Sequence, residues 1–219
     1  MSKIIIFGAR NFAEMAHYYF TGDSPHRVVA FTVDGEFIES STFAGLPVVP
    51  FEEVPARFSP STHGMFVAVG HHQLNQQRQA KVAAAEKAGY RLANYVSTKA
   101  DVPANFVAQP NTMIMEHACV QPFTHIGRNT IIWGSTRIGF RTKIGDHCWL
   151  VCPIFGESCV VGDNSFIGLN ATISPGVRIG RSNVIGAGAL ITADAPDFAV
   201  FRGQSSSRSR VPSTRLRSM

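Results

Sequence analysis

Residues 161–191 read VGDNSFIGLNATISPGVRIGRSNVIGAGALI, and an aliphatic residue returns there at every sixth position. The same spacing runs through an earlier stretch of the chain. The full set of markers is Ile114, Val120, Ile126, Ile132, Ile138, Ile144, Leu150, Val161, Ile167, Ile173, Ile179, Ile185 and Ile191. A period of six fits neither the 3.6 residues of a helical turn nor the alternation of one long strand. It is typical of short strands that meet at corners, with each marker pointing inward. The pattern predicts a parallel β-helix of about five coils.

Glycine often follows the marker, as in Ile126-Gly127, Ile138-Gly139 and Ile179-Gly180. A tight corner favours glycine because a Cβ atom would clash there. Stacked coils bury an aliphatic ladder and pair their backbone groups with neighbours about 4.8 Å away. The spacing is irregular between Leu150 and Val161, which are eleven positions apart. We therefore expect residues 152–156 to break or bulge the coil.

The first hundred residues show a different pattern. A continuous apolar run at residues 3–7 is followed by a glycine turn, an amphipathic segment at 12–20 and a second apolar run at 28–33. This order predicts a βαβ unit with a parallel sheet. We expect residues 1–100 to form a Rossmann-like α/β domain, 101–203 to form the β-helix and 204–219 to be a basic flexible tail.

Composition is that of a globular protein, with 45% hydrophobic and 16% charged residues, and no apolar run is long enough to span a bilayer. The amino-terminal segment is too short for a signal peptide, so a cytoplasmic location is expected. The four cysteines all lie in the repeat without a C-x-x-C spacing, and we expect neither a disulfide nor a metal site. The net charge of +5 equals the five arginines after residue 201, so the body of the chain offers no basic stripe for nucleic acid.

Candidate ligand contacts follow three predicted strands. Gly8-Ala9-Arg10-Asn11 follows the first strand, Asp34 the second, and Gly70-His71 a later one. The free N–H groups of a helix amino terminus and the Arg10 cation favour a phosphate at the first turn, although its glycine pattern is incomplete. Ligands gather at this edge of open α/β sheets. The alternative is that Asp34 caps a turn and that the histidines are exposed loop residues.

The combination of these turns with a hexapeptide coil resembles the bacterial nucleotide-sugar acetyltransferases with a left-handed β-helix. This family includes amino-sugar N-acetyltransferases and sialic-acid O-acetyltransferase-like proteins. The resemblance covers residues 2–203. It implies a homotrimer that uses acetyl-CoA as co-substrate, without a metal. It also implies that the nucleotide-linked sugar contacts Gly8, Arg10, Asn11, Asp34, Gly70 and His71. The CoA arm is expected to contact Gly168, Asn170, Gly186 and Ala187.

The chain departs from this family where the family carries its general base. The matching position holds Phe140, which cannot accept a proton. Arg137 and Arg141 flank it and are assigned with Phe140 to the cofactor, although an acidic sugar or solvent would also suit the two cations. His147, one corner further on, is the remaining candidate base, with a structural role as its alternative.

The resemblance, with this departure, leaves two functions open. The first is an acyl-CoA-dependent acyltransferase acting on a nucleotide-linked amino sugar in surface-glycan biosynthesis. It requires positioning of an amine that arrives uncharged, because no imidazole stands at the family position. The second is a catalytically degenerate relative that serves as a ligand-binding or regulatory subunit.

Overall fold

The computed structural model describes residues 2–208, 210 and 212–215, so part of the predicted tail lies outside the described residues. The amino-terminal half begins with β1 (Ser2–Phe7), α1 (Asn11–Gly22) and β2 (His26–Val33). The next elements are β3 (Thr42–Phe43), β4 (Leu46–Pro50), α2 (Val54–Arg57), β5 (His63–Val67), α3 (Gln76–Lys87) and β6 (Arg91–Leu92). Short 3-10 turns occupy Gly35–Phe37, Phe51–Glu53 and Ser213–Arg215.

These strands form one sheet in the order β3-β4-β2-β1-β5-β6. All neighbours are parallel except β3, which runs antiparallel to β4. The apolar run of β1 explains its central place, because Ile4 and Ile6 pack into one core cluster while Ile5 and Phe7 pack into another. A strand that is buried on both faces is characteristic of parallel sheets. The predicted βαβ unit is therefore present.

The rest of the chain consists of two-residue strands that stack into three parallel sheets. Face A contains β7 (Tyr95–Val96), β8 (Met113–Ile114), β11 (Ile131–Ile132), β14 (Trp149–Leu150), β17 (Phe166–Ile167), β20 (Val184–Ile185) and β22 (Val200–Phe201). Face B contains β9 (Cys119–Val120), β12 (Arg137–Ile138), β15 (Ile154–Phe155), β18 (Thr172–Ile173) and β21 (Leu190–Ile191). Face C contains β10 (His125–Ile126), β13 (Lys143–Ile144), β16 (Val160–Val161) and β19 (Arg178–Ile179). The three parallel sheets and the hexapeptide repeat fit a left-handed β-helix.

All the predicted markers are buried in one continuous core inside the coil. The expected break at residues 152–156 is wrong. Phe155 is 4% exposed and fills the marker position between Leu150 and Val161, and β15 pairs with the strands of the coils on both sides. The missing residue shortens the corner after β14 only, and the stack continues through it.

The corners use two kinds of special residue. A Cβ atom on Gly139 would lie 2.3 Å from the carbonyl oxygen of Gly156 in the next coil, so the glycine after the marker is required by close packing. The residue three places after the marker has a left-handed backbone instead, as at Asn129 (φ 52°), Arg141 (φ 57°) and His147 (φ 59°). Asparagine is enriched in that conformation.

The coil begins before residue 101. Residues 91–96 contain two strands that belong to different sheets, because β6 pairs with β5 of the amino-terminal sheet whereas β7 pairs with β8 of the coil. Buried Cys148 and Cys159 are small core residues of the coil, as expected. In the described part of the chain no helix is long and apolar enough to cross a membrane, and no three His, Cys, Asp or Glu side chains are grouped to hold a metal ion.

Asp23, just after α1, bonds to residues 95–98 at the start of the coil, and these bonds make the stability of the fold depend on pH. It accepts hydrogen bonds from the hydroxyls of Thr98, Tyr95 and Ser97 and from the Thr98 amide, and these bonds, that of the Thr98 hydroxyl foremost, lower its pKa to about 2. A lowered folded pKa gives stability that is present above the ordinary carboxyl pKa and is lost as pH falls through 2. Asp23→Asn should therefore lower the melting temperature near neutral pH, and the difference from wild type should narrow towards pH 2.

Thermal melts at pH 7, 4 and 2.5 test this, with the exposed Glu14→Gln as control. A difference between Asp23→Asn and wild type that is constant across this range would contradict the assignment.

Candidate active site

The three predicted ligand turns lie at one edge of the amino-terminal sheet. Phe7 at the end of β1 is in register with Thr32 of β2 on one side and Val67 of β5 on the other. The segments that follow these strands carry Gly8, Asp34 and Gly70. The structure therefore brings them together at the carboxyl edge, where open α/β sheets bind ligands.

Gly8 has a backbone conformation that requires glycine. Its φ is +131°, and an added Cβ atom would lie 2.7 Å from the Ala68 carbonyl oxygen. The turn leads into α1, whose first residue is Asn11 and whose amino terminus receives no side-chain cap. Its free N–H groups suit an anion. Arg10 extends into solvent, where its Nη2 lies 3.0 Å from Glu39 Oε1.

Asp34 forms an ion pair that the sequence did not reveal. Lys81 of α3 places its Nζ 2.5 Å from Asp34 Oδ2 and 5.6 Å from the centre of the Phe7 ring. The Asp34 side chain makes no hydrogen bond to the following turn, so the capping alternative is not what the structure shows. The pair presents a hydrogen-bond acceptor and a donor side by side. In the sequence, the one hint of this ion pair is that Lys81 lies on the helix that follows β5.

His71 connects this edge to the coil. Its ring lies 5.3 Å from that of Trp149 and 4.9 Å from that of Phe166, which both point outward from face A. Burial lowers the pKa of His71, and the neighbouring His72 and Arg78 act in the same direction. His71 is therefore neutral near pH 7. It is an exposed loop residue, as the alternative has it, and its ring also contacts two aromatic rings of the coil.

The predicted cofactor residues Arg137, Phe140 and Arg141 lie on face B and at the corner between faces B and C. The Arg141 guanidinium stacks 5.0 Å above the Phe140 ring and 5.9 Å from the ring of Phe123. The backbone N–H of Phe140 donates to Gln121 Oε1 at 2.8 Å. The position that the resemblance assigns to the general base thus holds an aromatic and cationic cluster, whose chemistry suits an anion or a flat group and which accepts no proton.

The other residues predicted to contact the cofactor lie at the corner between faces A and B; they are Gly168, Asn170, Gly186 and Ala187. Asn170 and Ala187 are exposed there. Close packing explains the two glycines, because a Cβ atom on Gly168 would lie 2.8 Å from the Ala187 nitrogen. A single chain therefore separates this group from Phe140 by the width of face B.

His147 lies at the third corner, between faces C and A, in the contact with the amino-terminal half. Its Nδ1 accepts a hydrogen bond from Asn129 Nδ2 at 2.8 Å, and its backbone oxygen accepts one from Arg78 at 3.1 Å. Burial lowers its pKa. The structure does not bring His147 and Phe140 together, and these contacts favour the structural alternative for the histidine.

Known proteins resemble this chain at two levels. A sequence family matches part of the coil, and solved structures match the whole fold. Residues 158–193 match the bacterial transferase hexapeptide family (six repeats). A putative acetyltransferase, YvoF, of Bacillus subtilis is 36% identical over 91 residues, which cover 42% of this chain and 49% of that protein. A galactoside O-acetyltransferase of Lactococcus lactis is 41% identical over 49 residues, 22% of this chain and 24% of that protein. The chain thus spans about half or less of the length of these curated relatives.

Two solved structures share the fold over nearly their full length. Perosamine N-acetyltransferase from Caulobacter crescentus, a histidine-to-asparagine mutant in complex with CoA and GDP-perosamine, superimposes with a TM-score of 0.82 at 24% identity, covering 93% of this chain and 94% of that one. The acetyltransferase domain of PglB from Neisseria gonorrhoeae gives 0.80 at 21% identity, covering 93% and 97%. The match to the hexapeptide repeat family lies in the later turns of the β-helix. The predicted resemblance to hexapeptide acetyltransferases is confirmed.

Proposed function

We propose that this protein is an acyl-CoA-dependent acyltransferase that modifies a nucleotide-linked amino sugar in surface-glycan biosynthesis. The observation that carries the proposal is the carboxyl edge of the amino-terminal sheet, where the Gly8 turn and the Asp34–Lys81 pair face one site beside a hexapeptide coil. The same overall fold binds CoA and GDP-perosamine together in the Caulobacter protein.

In this proposal the Rossmann-like amino-terminal domain holds the nucleotide. The diphosphate lies at the amino terminus of α1, near Gly8, Arg10 and Asn11, because free N–H groups and the helix dipole favour an anion there. Asp34 accepts a hydrogen bond from the base or ribose, while Lys81 donates to a neighbouring oxygen. Gly70 and His71 close the site on the side of the coil.

The acyl-CoA binds along the coil between neighbouring subunits. One subunit contributes Arg137, Phe140 and Arg141, and the next contributes the corner with Gly168, Asn170, Gly186 and Ala187. This arrangement joins two groups that a single chain holds apart. The two arginines suit the CoA phosphates, since guanidinium groups bind phosphate through paired hydrogen bonds.

We propose a homotrimer, as the resemblance to the family implies. Face B exposes apolar side chains, with Ile154 44% and Leu190 66% exposed, that a second subunit would cover. Sedimentation should give a species of three chains at micromolar concentration. A stable monomer would exclude an acyl-CoA site built by two subunits.

Asp34→Ala tests the nucleotide site. It should weaken GDP or UDP binding at least about tenfold, since it removes a charged hydrogen-bond partner, while melting changes little because the ion pair is partly exposed. Calorimetry with both nucleotides measures this. Glu53→Gln serves as the control, because it removes an exposed ion pair, with Arg57, that is not among the proposed nucleotide contacts. Unchanged affinity in Asp34→Ala would remove Asp34 from the site.

A catalytically degenerate ligand-binding or regulatory subunit is the second candidate. Phe140 favours it, because the position matching the family base cannot take a proton. Both candidates keep the nucleotide and CoA sites, so only turnover separates them.

A further inference from the structure

Arg78 is a fully buried cation at the contact between the amino-terminal sheet and the coil. It lies in the first turn of α3 and stacks 5.1 Å from the Trp149 ring. Desolvation lowers its pKa to about 9, so the side chain stays charged near neutral pH. Burying a charge is costly, and such a group is retained where its geometry fixes a specific arrangement.

The Arg78 guanidinium bonds to both halves of the molecule. Towards the sheet, Nη1 donates to the Gly70 carbonyl oxygen at 3.3 Å and to Asn75 Oδ1 at 3.0 Å. Towards the coil, it donates to the Asn129 side chain and to three corner carbonyls, of Asn129, His147 and Cys148, at 3.0–3.2 Å. Every partner is a neutral oxygen, so the arginine acts as a connector rather than as half of an ion pair.

The segment between Gly70 and Arg78 has an unfavourable backbone. Gln73, Leu74 and Asn75 all have positive φ, at 50°, 50° and 66°. Consecutive left-handed residues are rare in L-amino acids and persist only where their surroundings hold them. They also explain why α3 begins only at Gln76.

The coil holds the same segment at a second point. Asn75 Nδ2 donates to the Asn164 carbonyl at 3.3 Å, and Asn164 Nδ2 donates to Gln79 Oε1 at 2.9 Å. Arg78 and Asn164 therefore clamp a strained loop, residues 70–75, that carries Gly70 and His71.

We infer that Arg78 is a positioning residue, which orders the 70–75 loop against the coil so that the loop completes the nucleotide site. This inference rests on the proposed nucleotide site. Arg78 touches no ligand in this account, and it acts through Gly70 and Asn75. Lysine cannot replace it, because a single ammonium offers three donors whereas the planar guanidinium spans acceptors on both sides.

Arg78→Lys, which keeps the charge, is the decisive variant. It should weaken GDP and UDP binding at least about tenfold, because the loop is no longer held, while CoA binding should stay within about twofold. Hydrogen exchange should rise in residues 70–75 and stay unchanged in α1. The matched control is Glu86→Gln, which removes another contact between α3 and the coil, the ion pair with Arg128, and should leave both affinities and the loop exchange unchanged.

Asn75→Gly is the second variant in case Arg78→Lys does not fold. Glycine accepts the left-handed backbone, so only the side-chain clamp is lost, and the same selective loss of nucleotide affinity is expected. Equal losses for CoA and the nucleotides, or unchanged exchange in residues 70–75, would overturn the inference. If wild type binds neither GDP nor UDP, the proposed nucleotide site fails, and the exchange experiment still decides whether Arg78 orders the loop.

Discussion

Phe140→His should raise turnover on amino nucleotide sugars by about 10²–10⁴-fold, the usual contribution of a positioned general base. In the wild-type protein position 140 holds no imidazole, so the rate should rise with pH towards the pKa of the acceptor amine, without an ionisation near 6.5. The variant should add an ionisation below 6.5, because the Arg141 guanidinium, 5.0 Å from the ring at position 140, disfavours a second positive charge. Rate profiles from pH 5 to 9 measure both effects.

Two further variants locate the base. Arg141→Gln in the Phe140→His background should move the new ionisation to higher pH, since the neighbouring cation is removed. His147→Ala should leave turnover nearly unchanged, because His147 lies at another corner, where it accepts a hydrogen bond from Asn129. A clear loss of turnover in His147→Ala with an intact assembly would place the base at His147 and contradict the account of Phe140.

Gly139→Val should destabilise the coil strongly. The added Cβ atom would lie 2.3 Å from the Gly156 carbonyl oxygen in the next coil, and its three nearest neighbours are all backbone atoms of Gly156 and Glu157, which cannot move aside as a flexible side chain would. We expect the free energy of unfolding to fall by about 3 kcal/mol. This lowers the melting temperature of a chain of this size by roughly 6–12 °C. Calorimetry or circular dichroism measures the shift.

Gly188→Asn is the matched control. Gly188 lies at a corner in a later turn of the same β-helix. Its φ is +67°, and no atom lies within 4 Å of an added Cβ. Asparagine tolerates this backbone conformation, so the melting temperature should change little. Equal shifts in melting temperature for the two variants would contradict the claim that close packing requires glycine at position 139 but not at position 188.

The sequence predicted the coil well because the six-residue spacing alone indicates which side chains point into its core. Residues six positions apart occupy equivalent places on successive faces of the coil, so their side chains point the same way. All the markers are buried in its core. The break at residues 152–156 was predicted wrongly because an aromatic residue, Phe155, replaces an aliphatic marker one place early. Spacing alone does not show that a corner can lose one residue without losing the stack.

The candidate site was only partly predictable. Gly8, Asp34 and Gly70 follow strands, and parallel strands bring such positions to one edge. Lys81 and Arg78 lie on a polar helix whose sequence does not show which side chains turn towards the sheet or the coil. Their roles depend on partners far along the chain, Asp34 for Lys81 and Asn129 for Arg78, and no local pattern reports such contacts.

Release of free CoA from acetyl-CoA by the wild-type protein, with and without an amino nucleotide sugar, tests the central claim most directly. GDP- and UDP-linked amino sugars serve as acceptors, and a thiol reagent follows CoA release at pH 6.5 and 8.5. An acyltransferase predicts release that requires the acceptor and is faster at the higher pH. Binding of both ligands with no acceptor-dependent release at either pH would contradict it and identify the protein as a ligand-binding relative.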